Sequence, residues 1–223
     1  MTSFIPRAIL FDFDGVLVDS EPVRFRCGAQ ALEEIGISLP WERFLRDWLG
    51  RTDEAALQDL LGERFAADGA RVVARRNALY EARLAEVPAF LDALRLLERI
   101  PQSVRRAVAT GSRKHEVEQI LGRLGVSSAF QAVVTAGDYA RAKPAPDPFL
   151  VAAEQVGVEP ASCLVLEDSP AGILAARTAG MAVVGVERRA SDGLVGANWR
   201  VSSLDGLRLG PDGVRTAGPA SAS

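Results

Sequence analysis

The chain of 223 residues is 48% hydrophobic and 25% charged, which is typical of a globular protein with one large domain or two small ones. Its formal net charge of −3 argues against bulk attraction to nucleic acid or to a membrane surface, so neither is an expected partner. The two cysteines match no zinc motif and no disulfide framework, and the first residues resemble no signal peptide, which predicts a cytoplasmic location.

Short apolar runs, rich in β-branched residues or leucine, recur along the chain and predict strands that are buried on both faces. They cover residues 8–13, 106–110, 132–135, 163–168 and 181–186. Helical patterns lie between most of these runs, and this alternation predicts an α/β fold with a parallel sheet core flanked by helices.

The segment 19–84 interrupts the alternation, because it contains helical patterns and no convincing strand. We therefore expect an all-helical domain at 19–84, inserted into a core that is made of 1–18 and 85–210. Residues 211–223 are small, polar and rich in glycine and proline, which predicts a disordered tail.

Polar residues follow the predicted strands at the points where the strands end. These residues are Asp12, Asp14, Thr110, Lys143, Glu167 and Asp168. Ligands of an open parallel sheet bind beyond the carboxyl ends of its strands, so we expect these groups to share one site. Asp12 suits a carboxylate nucleophile there, and Asp14, on the same side of the strand, suits a general acid and base.

Buried carboxylates are costly unless a cation compensates their charge. A cluster of carboxylates at a sheet edge suits a hard divalent cation, and Mg²⁺ is typically held by carboxylates together with a phosphate. Lys143 would offset the remaining negative charge and hold a phosphate oxygen. Thr110 and the amides of Gly111 and Ser112 would donate to the anion, although Ser112 could instead cap the following helix.

Four segments carry these residues: "DFDGVLVDS", "TGS", "KPAPD" and "LEDSPAG". In this order and spacing they resemble the four motifs of the haloacid dehalogenase-like superfamily, and the helical insert resembles that of its phosphatase and β-phosphoglucomutase branch. The resemblance covers roughly residues 7–187. It implies a Rossmann-like core with an inserted, mobile helical cap.

The resemblance also implies roles for individual residues. Asp12 would be phosphorylated during the reaction. Mg²⁺ would be bound by the side chains of Asp12 and Asp168 and by the backbone oxygen of Asp14. Glu167 would ligate it directly or through water. The transferred phosphoryl group would be held by Thr110, Gly111 and Lys143.

The alternatives to a phosphatase differ at identifiable positions. Dehalogenases of the superfamily lack an acid at the position of Asp14, and phosphonate-cleaving relatives need a cap lysine, which 19–84 does not contain. The β-phosphoglucomutase alternative stays open, although the position of its cap histidine holds Arg24. Its cap-loop lysine and arginine positions hold Leu49 and Asp53. A non-catalytic scaffold protein is disfavoured, because no motif acid is lost.

These observations predict an enzyme, a Mg²⁺-dependent phosphatase that hydrolyses a small phosphomonoester, such as a sugar phosphate, through an aspartyl-phosphate intermediate. Arg24 and Arg51 in the helical insert are candidate contacts for an anionic substrate and equally plausible surface residues. The expected partner is a small phosphorylated metabolite, and the expected oligomeric state is a monomer.

Overall fold

A computed structural model of the chain describes residues 4–48, 53–188, 194–210 and 212–216. Contacts divide the chain into two compact units. The first unit comprises Met1–Asp19 and Pro88–Ser223, and the second is the inserted segment Ser20–Val87. The sequence patterns place this insert at 19–84, so its observed end lies three residues later than expected.

The first unit is built on a six-stranded sheet in which every pairing is parallel. Its strands are β1 (Ala8–Phe11), β2 (Arg105–Ala109), β3 (Ala132–Val134), β4 (Cys163–Glu167), β5 (Ala182–Val186) and β6 (Trp199–Val201). All residues of β1 and β4 are buried, which explains why these segments show no polar alternation. The predicted α/β fold is confirmed, with β6 as an additional edge strand whose three residues are too few to show a pattern.

The strand order is β3–β2–β1–β4–β5–β6. β1 is central and pairs with β2 on one side and with β4 on the other. From β1 the chain first extends the sheet toward β3, and from β4 onward it extends the sheet in the opposite direction. Ligand sites of open α/β sheets lie at such a reversal, beyond the carboxyl ends of the strands.

The described part of the second unit consists of helices, namely α1 (Glu21–Glu33), α2 (Trp41–Asp47), α3 (Asp53–Leu61) and α4 (Phe65–Glu81), with short 3₁₀ turns at Gly62–Arg64 and Leu84–Glu86. The long helix α4 packs against both α1 and α3. The rings of Phe25, Trp41, Phe44 and Trp48 form a chain of aromatic contacts with centroids from 4.9 to 6.0 Å apart. The predicted helical character of the insert is confirmed.

In the described part of the sheet unit, four helices accompany the sheet: α5 (Leu91–Arg99), α6 (Lys114–Leu124), α7 (Asp147–Val156) and α8 (Pro170–Thr178). α7 packs against β1, β2 and β3, and α8 packs against β4 and β5. Ser169, which precedes a proline, caps α8, because its Oγ accepts a hydrogen bond from the amide of Gly172 at 3.0 Å. Within the described residues, every helix falls short of the length and hydropathy that a bilayer crossing needs.

Two segments of the sheet unit, 17–19 and 88–90, lead to and from the insert and run side by side. An isolated antiparallel bridge joins Val18 to Ala89, and main-chain hydrogen bonds of 2.9 Å flank it on either side. The chain therefore leaves and re-enters the sheet unit at adjacent points.

The sequence predicts disorder over 211–223, and this prediction is wrong for 213–216. β7 (Leu207–Gly210) and β8 (Gly213–Thr216) form a two-stranded antiparallel sheet. The amide of Val214 donates to the carbonyl of Phe4 at 3.0 Å, so the hairpin gains a partner that local composition does not reveal. Residues 217–223 lie outside the described residues.

Candidate active site

An acidic cluster lies at the carboxyl ends of the two central strands. Asp12 directly follows β1, Glu167 is the last residue of β4, and Asp168 comes next. One carboxylate oxygen from each of the three lies within 4.8 Å of the others. The side chain of Glu167 is only 1% exposed. Three of the predicted metal ligands are therefore brought together, although 155 residues separate the first two along the chain.

Lys143 inserts its ammonium between two of these carboxylates. Its Nζ lies 2.5 Å from Asp12 Oδ1 and 2.8 Å from Glu167 Oε1, and its side chain is 14% exposed. The ring of Phe149 lies 4.7 Å away and shields the ammonium from a second direction. One ammonium against three carboxylates leaves an excess of negative charge at this sheet edge.

The titration behaviour of the cluster follows from burial and charge. Burial raises the pKa of Asp12 to about 7, with Lys143 opposing the shift and Glu167 adding to it. Burial alone would lower the pKa of Lys143, but Asp12 and Glu167 together raise it above its ordinary value. The ammonium therefore persists at neutral pH. The cluster has the oxygen ligands and the excess negative charge that suit a hard divalent cation such as Mg²⁺.

Two glycines fit against the acids so closely that a side chain has no room. A Cβ on Gly172 would lie 1.6 Å from Glu167 Oε1, and a Cβ on Gly15 would lie 1.8 Å from Asp168 Oδ2. Gly15 also has a φ of 78°, in the left-handed region. Glu167 is held further by Ser169, whose amide and Oγ donate to Oε2 at 2.7 and 3.0 Å. The carboxylate positions are thus fixed by steric fit as well as by hydrogen bonds.

Gly172→Ala is expected to lower the free energy of unfolding by about 1–3 kcal/mol, because the new methyl group must displace the buried Glu167 carboxylate. Gly122→Ala is the matched control, since Gly122 lies in α6 with no atom within 4 Å of an added Cβ. That change should stabilise the protein by about 0.5–1 kcal/mol through helix propensity. Urea denaturation of both variants measures the difference, and equal stability would show that the fit around Glu167 is loose.

Asp14 is held by a contact that the sequence did not reveal. The hydroxyl of Ser112 donates to Asp14 Oδ2 at 2.5 Å. The alternative that Ser112 caps the following helix is wrong, because α6 begins at Lys114 and its N-cap is Arg113. The helix starts one residue later than that alternative requires, and the Ser112 side chain contacts Asp14 beyond the end of β1 instead.

Thr110 and Gly111 form the turn at the carboxyl end of β2. Thr110 is buried, its Oγ1 accepts from the amide of Ser112 at 3.0 Å, and its carbonyl accepts from the Tyr139 hydroxyl at 3.0 Å. Tyr139, in the loop after β3, is a residue that sequence reasoning missed, because no spacing rule links it to the turn. This turn lies beside Asp14, where we expected hydrogen-bond donors for an anion.

The structure describes one of the two residues of the helical unit that were predicted to contact an anionic substrate. Arg24 lies on α1 with its guanidinium 4.4 Å from the centre of the Tyr80 ring. Arg51 lies outside the described residues. Arg76 on α4, which the sequence did not single out, is buried, and burial lowers its pKa to about 10 with Arg24 adding to the effect. Substrate contact by Arg24 and Arg51 stays a prediction.

Comparison with known proteins places this arrangement in a family. The family model described as haloacid dehalogenase-like hydrolase matches residues 9–186. The chain belongs to this family. The match runs from the second residue of β1 to the end of β5 and includes the acidic cluster, so the predicted membership is confirmed.

Relatives within the haloacid dehalogenase-like family include named phosphatases. Validoxylamine A 7′-phosphate phosphatase of Streptomyces hygroscopicus subsp. limoneus is 33% identical over 184 residues, which cover 81% of this chain and 85% of that protein. Hexitol phosphatase B of Escherichia coli (strain K12) is 31% identical over 215 residues, which cover 91% and 96% of the two chains. The predicted enzyme class, a phosphoric monoester hydrolase of this family, is confirmed.

A solved structure shares the fold of this chain. β-Phosphoglucomutase from Clostridium difficile has a TM-score of 0.78 and 25% sequence identity, and the match covers 92% of this chain and 94% of that chain. The predicted fold therefore has a solved counterpart that matches nearly the whole chain.

Proposed function

We propose that this protein is a Mg²⁺-dependent phosphatase that hydrolyses a small sugar or polyol phosphate through an aspartyl-phosphate at Asp12. The observation that carries the proposal is the buried contact of Lys143 with Asp12 and Glu167 at 2.5 and 2.8 Å, beside Asp168. The phosphate esters in the names of the two phosphatase relatives support the substrate class.

Mg²⁺ would be held by the carboxylates of Asp12 and Asp168, with Glu167 as a direct or water-mediated ligand and the backbone oxygen of Asp14 as a further donor. When bound, it would supply positive charge next to the transferring phosphoryl group. Lys143 would supply further positive charge and favour the ionised form of Asp12.

In the first half-reaction, an Asp12 carboxylate oxygen attacks phosphorus, the ester P–O bond breaks, and Asp14 gives its proton to the leaving oxygen. In the second, the Asp14 carboxylate takes a proton from water, the water oxygen attacks phosphorus, and inorganic phosphate leaves with Asp12 restored. Ser112 orients Asp14 in both steps through its hydrogen bond of 2.5 Å. Thr110 and Gly111, at the neighbouring strand end, would bind the phosphoryl oxygens.

A β-phosphoglucomutase-like activity is the second candidate, because the solved mutase from Clostridium difficile covers nearly the whole chain. Both reactions begin with the same attack by a carboxylate. They differ in what accepts the phosphoryl group from the enzyme, water in a phosphatase and a second sugar hydroxyl in a mutase. Arg24 at the position of the mutase cap histidine favours the phosphatase.

The test is a panel of phosphorylated hexitols, sugars and short acids, assayed for free phosphate with Mg²⁺ and with EDTA. We expect Mg²⁺-dependent release that is strongest on a sugar or polyol phosphate. Release that is equal in EDTA, or that is absent from every ester, contradicts the proposal. Conversion of β-glucose 1-phosphate to glucose 6-phosphate without free phosphate would favour the mutase.

Mg²⁺ is also expected to raise the melting temperature of the EDTA-treated protein, because the ion binds the folded cluster and not the unfolded chain. At a concentration of about 100 times its Kd, a ligand stabilises by about 2.7 kcal/mol. Asp168→Asn should weaken this effect, whereas Asp205→Asn, at an exposed ion pair with Arg95, should leave it unchanged. Differential scanning calorimetry measures the shifts, and an equal response in both variants would place the ion elsewhere.

We also propose that the protein acts as a monomer in the cytoplasm. Cys27 and Cys163 are both buried free thiols, which suits a reducing compartment. Light scattering coupled to size-exclusion chromatography tests the oligomeric state, with the mass of 23.8 kDa as the monomer value.

A further inference from the structure

A buried ion pair joins three separate segments of the sheet unit. Arg188, which follows β5, pairs with Asp92 in the first turn of α5, with N–O distances of 2.7 and 3.0 Å. The two side chains are only 10% and 8% exposed. Asp92 also accepts from the hydroxyl of Ser203 at 2.9 Å and from the amide of Leu204 at 2.8 Å. The carboxylate therefore anchors Arg188 in one orientation.

The same guanidinium reaches the loop that follows Asp14. Its Nε donates to the carbonyl of Gly15 and its Nη2 to the carbonyl of Val16, both at 3.1 Å. One face of the guanidinium lies against the Phe90 ring, 3.8 Å from the ring centre. A planar guanidinium can satisfy a carboxylate and two carbonyls at once because its five N–H donors are spread over a fixed fork.

The loop 13–18 that receives these bonds is compact. The amide of Gly15 donates to the carbonyl of Val18 at 2.8 Å, and the amides of Leu17 and Val18 both donate to the carbonyl of Phe13. Because Asp14 lies inside this loop, an anchor on the next two carbonyls restricts where its carboxylate and backbone oxygen can move. A misplacement of about 1 Å in a catalytic group can cost about 100-fold in rate.

We propose that Arg188 is a positioning residue that holds the loop 13–18 and thereby aligns Asp14, with Asp92 fixing the orientation of Arg188. This inference rests on the proposed function only in assigning acid–base work to Asp14. A buried ion pair by itself contributes little net stability. The contribution that distinguishes this pair is its bonds to the two loop carbonyls.

The first test compares esters whose leaving groups need protonation to different degrees. For Arg188→Met and Arg188→Lys, kcat/KM on the best sugar or polyol phosphate of the panel should fall about 100-fold, and kcat/KM on p-nitrophenyl phosphate should fall less than about 5-fold. This ratio reports the first half-reaction, in which a nitrophenolate leaves without an acid, whereas hydrolysis of the aspartyl-phosphate is common to both esters. Arg188→Lys keeps the positive charge beside Asp92 but loses the planar fork of donors. It therefore distinguishes an effect on the stability of the fold from an effect on the alignment of Asp14.

Arg95→Met is the matched control, since it breaks an exposed pair with Asp205 whose side chains are 53% and 46% exposed. This substitution should leave the hydrolysis of both esters unchanged. An equal fall of kcat/KM on the two esters in the Arg188 variants would indicate a purely structural role and would overturn the inference.

Hydrogen exchange provides a second readout that does not depend on activity. The amides of Gly15, Leu17 and Val18 should lose protection at least about 10-fold more than the strand amides in both Arg188 variants, and not in Arg95→Met. Unchanged or uniformly reduced protection would refute the anchoring of the loop. If the wild type hydrolysed no ester of the panel and no p-nitrophenyl phosphate with Mg²⁺, the proposed function and the catalytic half of the inference would fail, while the exchange data would still decide the anchoring.

Discussion

Asp12→Asn is expected to lower kcat for phosphate release by at least about 10⁴-fold, because an amide cannot replace the attacking carboxylate. The size of the loss distinguishes a nucleophile from a residue that only binds metal or substrate. A steady-state assay on the best ester of the panel measures it, with Asp205→Asn as a control at an exposed ion pair. A variant that keeps more than a few per cent of wild-type turnover would remove Asp12 from the role of nucleophile.

The same substitution should not destabilise the metal-free protein. Asp12 faces Glu167 and Asp168 with Lys143 as counter-charge, so replacing a carboxylate by an amide relieves repulsion in a buried site. Since burial raises the pKa of Asp12 from 3.8 to about 7, the folded state binds the proton more tightly than the unfolded state. The wild type should therefore lose stability relative to the variant as pH rises through this window.

This difference can be measured by urea denaturation in EDTA at about pH 5 and about pH 8, where linkage predicts a larger advantage of Asp12→Asn at the higher pH. Added Mg²⁺ should make the wild type more stable than Asp12→Asn, because the wild-type cluster binds the ion more strongly. An advantage that shrinks toward high pH would mean that Asp12 is not a destabilising buried charge.

Lys143→Met is expected to lower the free energy of unfolding by about 3–5 kcal/mol, because it leaves Asp12 and Glu167 buried without their shared ammonium. Lys114→Met is the matched control, at the only other lysine of the sequence. Lys114 is 67% exposed and lies 4.0 Å from Glu118, so its replacement should change stability by less than about 0.5 kcal/mol.

Enzymatic activity should also fall in Lys143→Met and not in Lys114→Met. Loss of a buried positive charge next to the transferring group is expected to reduce kcat by about 10²–10³-fold in Lys143→Met, and Lys114→Met should behave as wild type. The assay is best done at saturating Mg²⁺, which partly stabilises the variant fold. Wild-type kcat in Lys143→Met would limit the lysine to a structural role.

The acidic cluster was predictable because it depends on strand ends. Buried parallel strands have a recognisable composition, and their carboxyl ends share one edge of the sheet, so Asp12, Lys143 and Glu167 could be placed together without knowledge of the loops. The hydrogen bond from Ser112 to Asp14 could not be predicted in this way. It depends on where α6 begins, and helix starts are uncertain by a residue or two.

Contacts between residues that lie far apart in the chain leave no pattern in the sequence. Asp92 and Arg188 are 96 residues apart, and neither belongs to a motif. The edge strand β6 and the hairpin β7–β8 have strands of three or four residues, too short for periodicity. The fit of Gly172 against Glu167 is likewise visible only when the strand and helix are packed together.

The adjacent exit and return of the chain at 17–19 and 88–90 has a consequence for evolution and engineering. The bridge between Val18 and Ala89 closes the sheet unit with its own hydrogen bonds, irrespective of what is inserted between. Doubling the length of a flexible connection costs only about 0.6 kcal/mol in closure entropy. Segments of very different size can therefore be grafted at this junction without rearranging the sheet, so recognition elements can be exchanged while the acidic edge is retained.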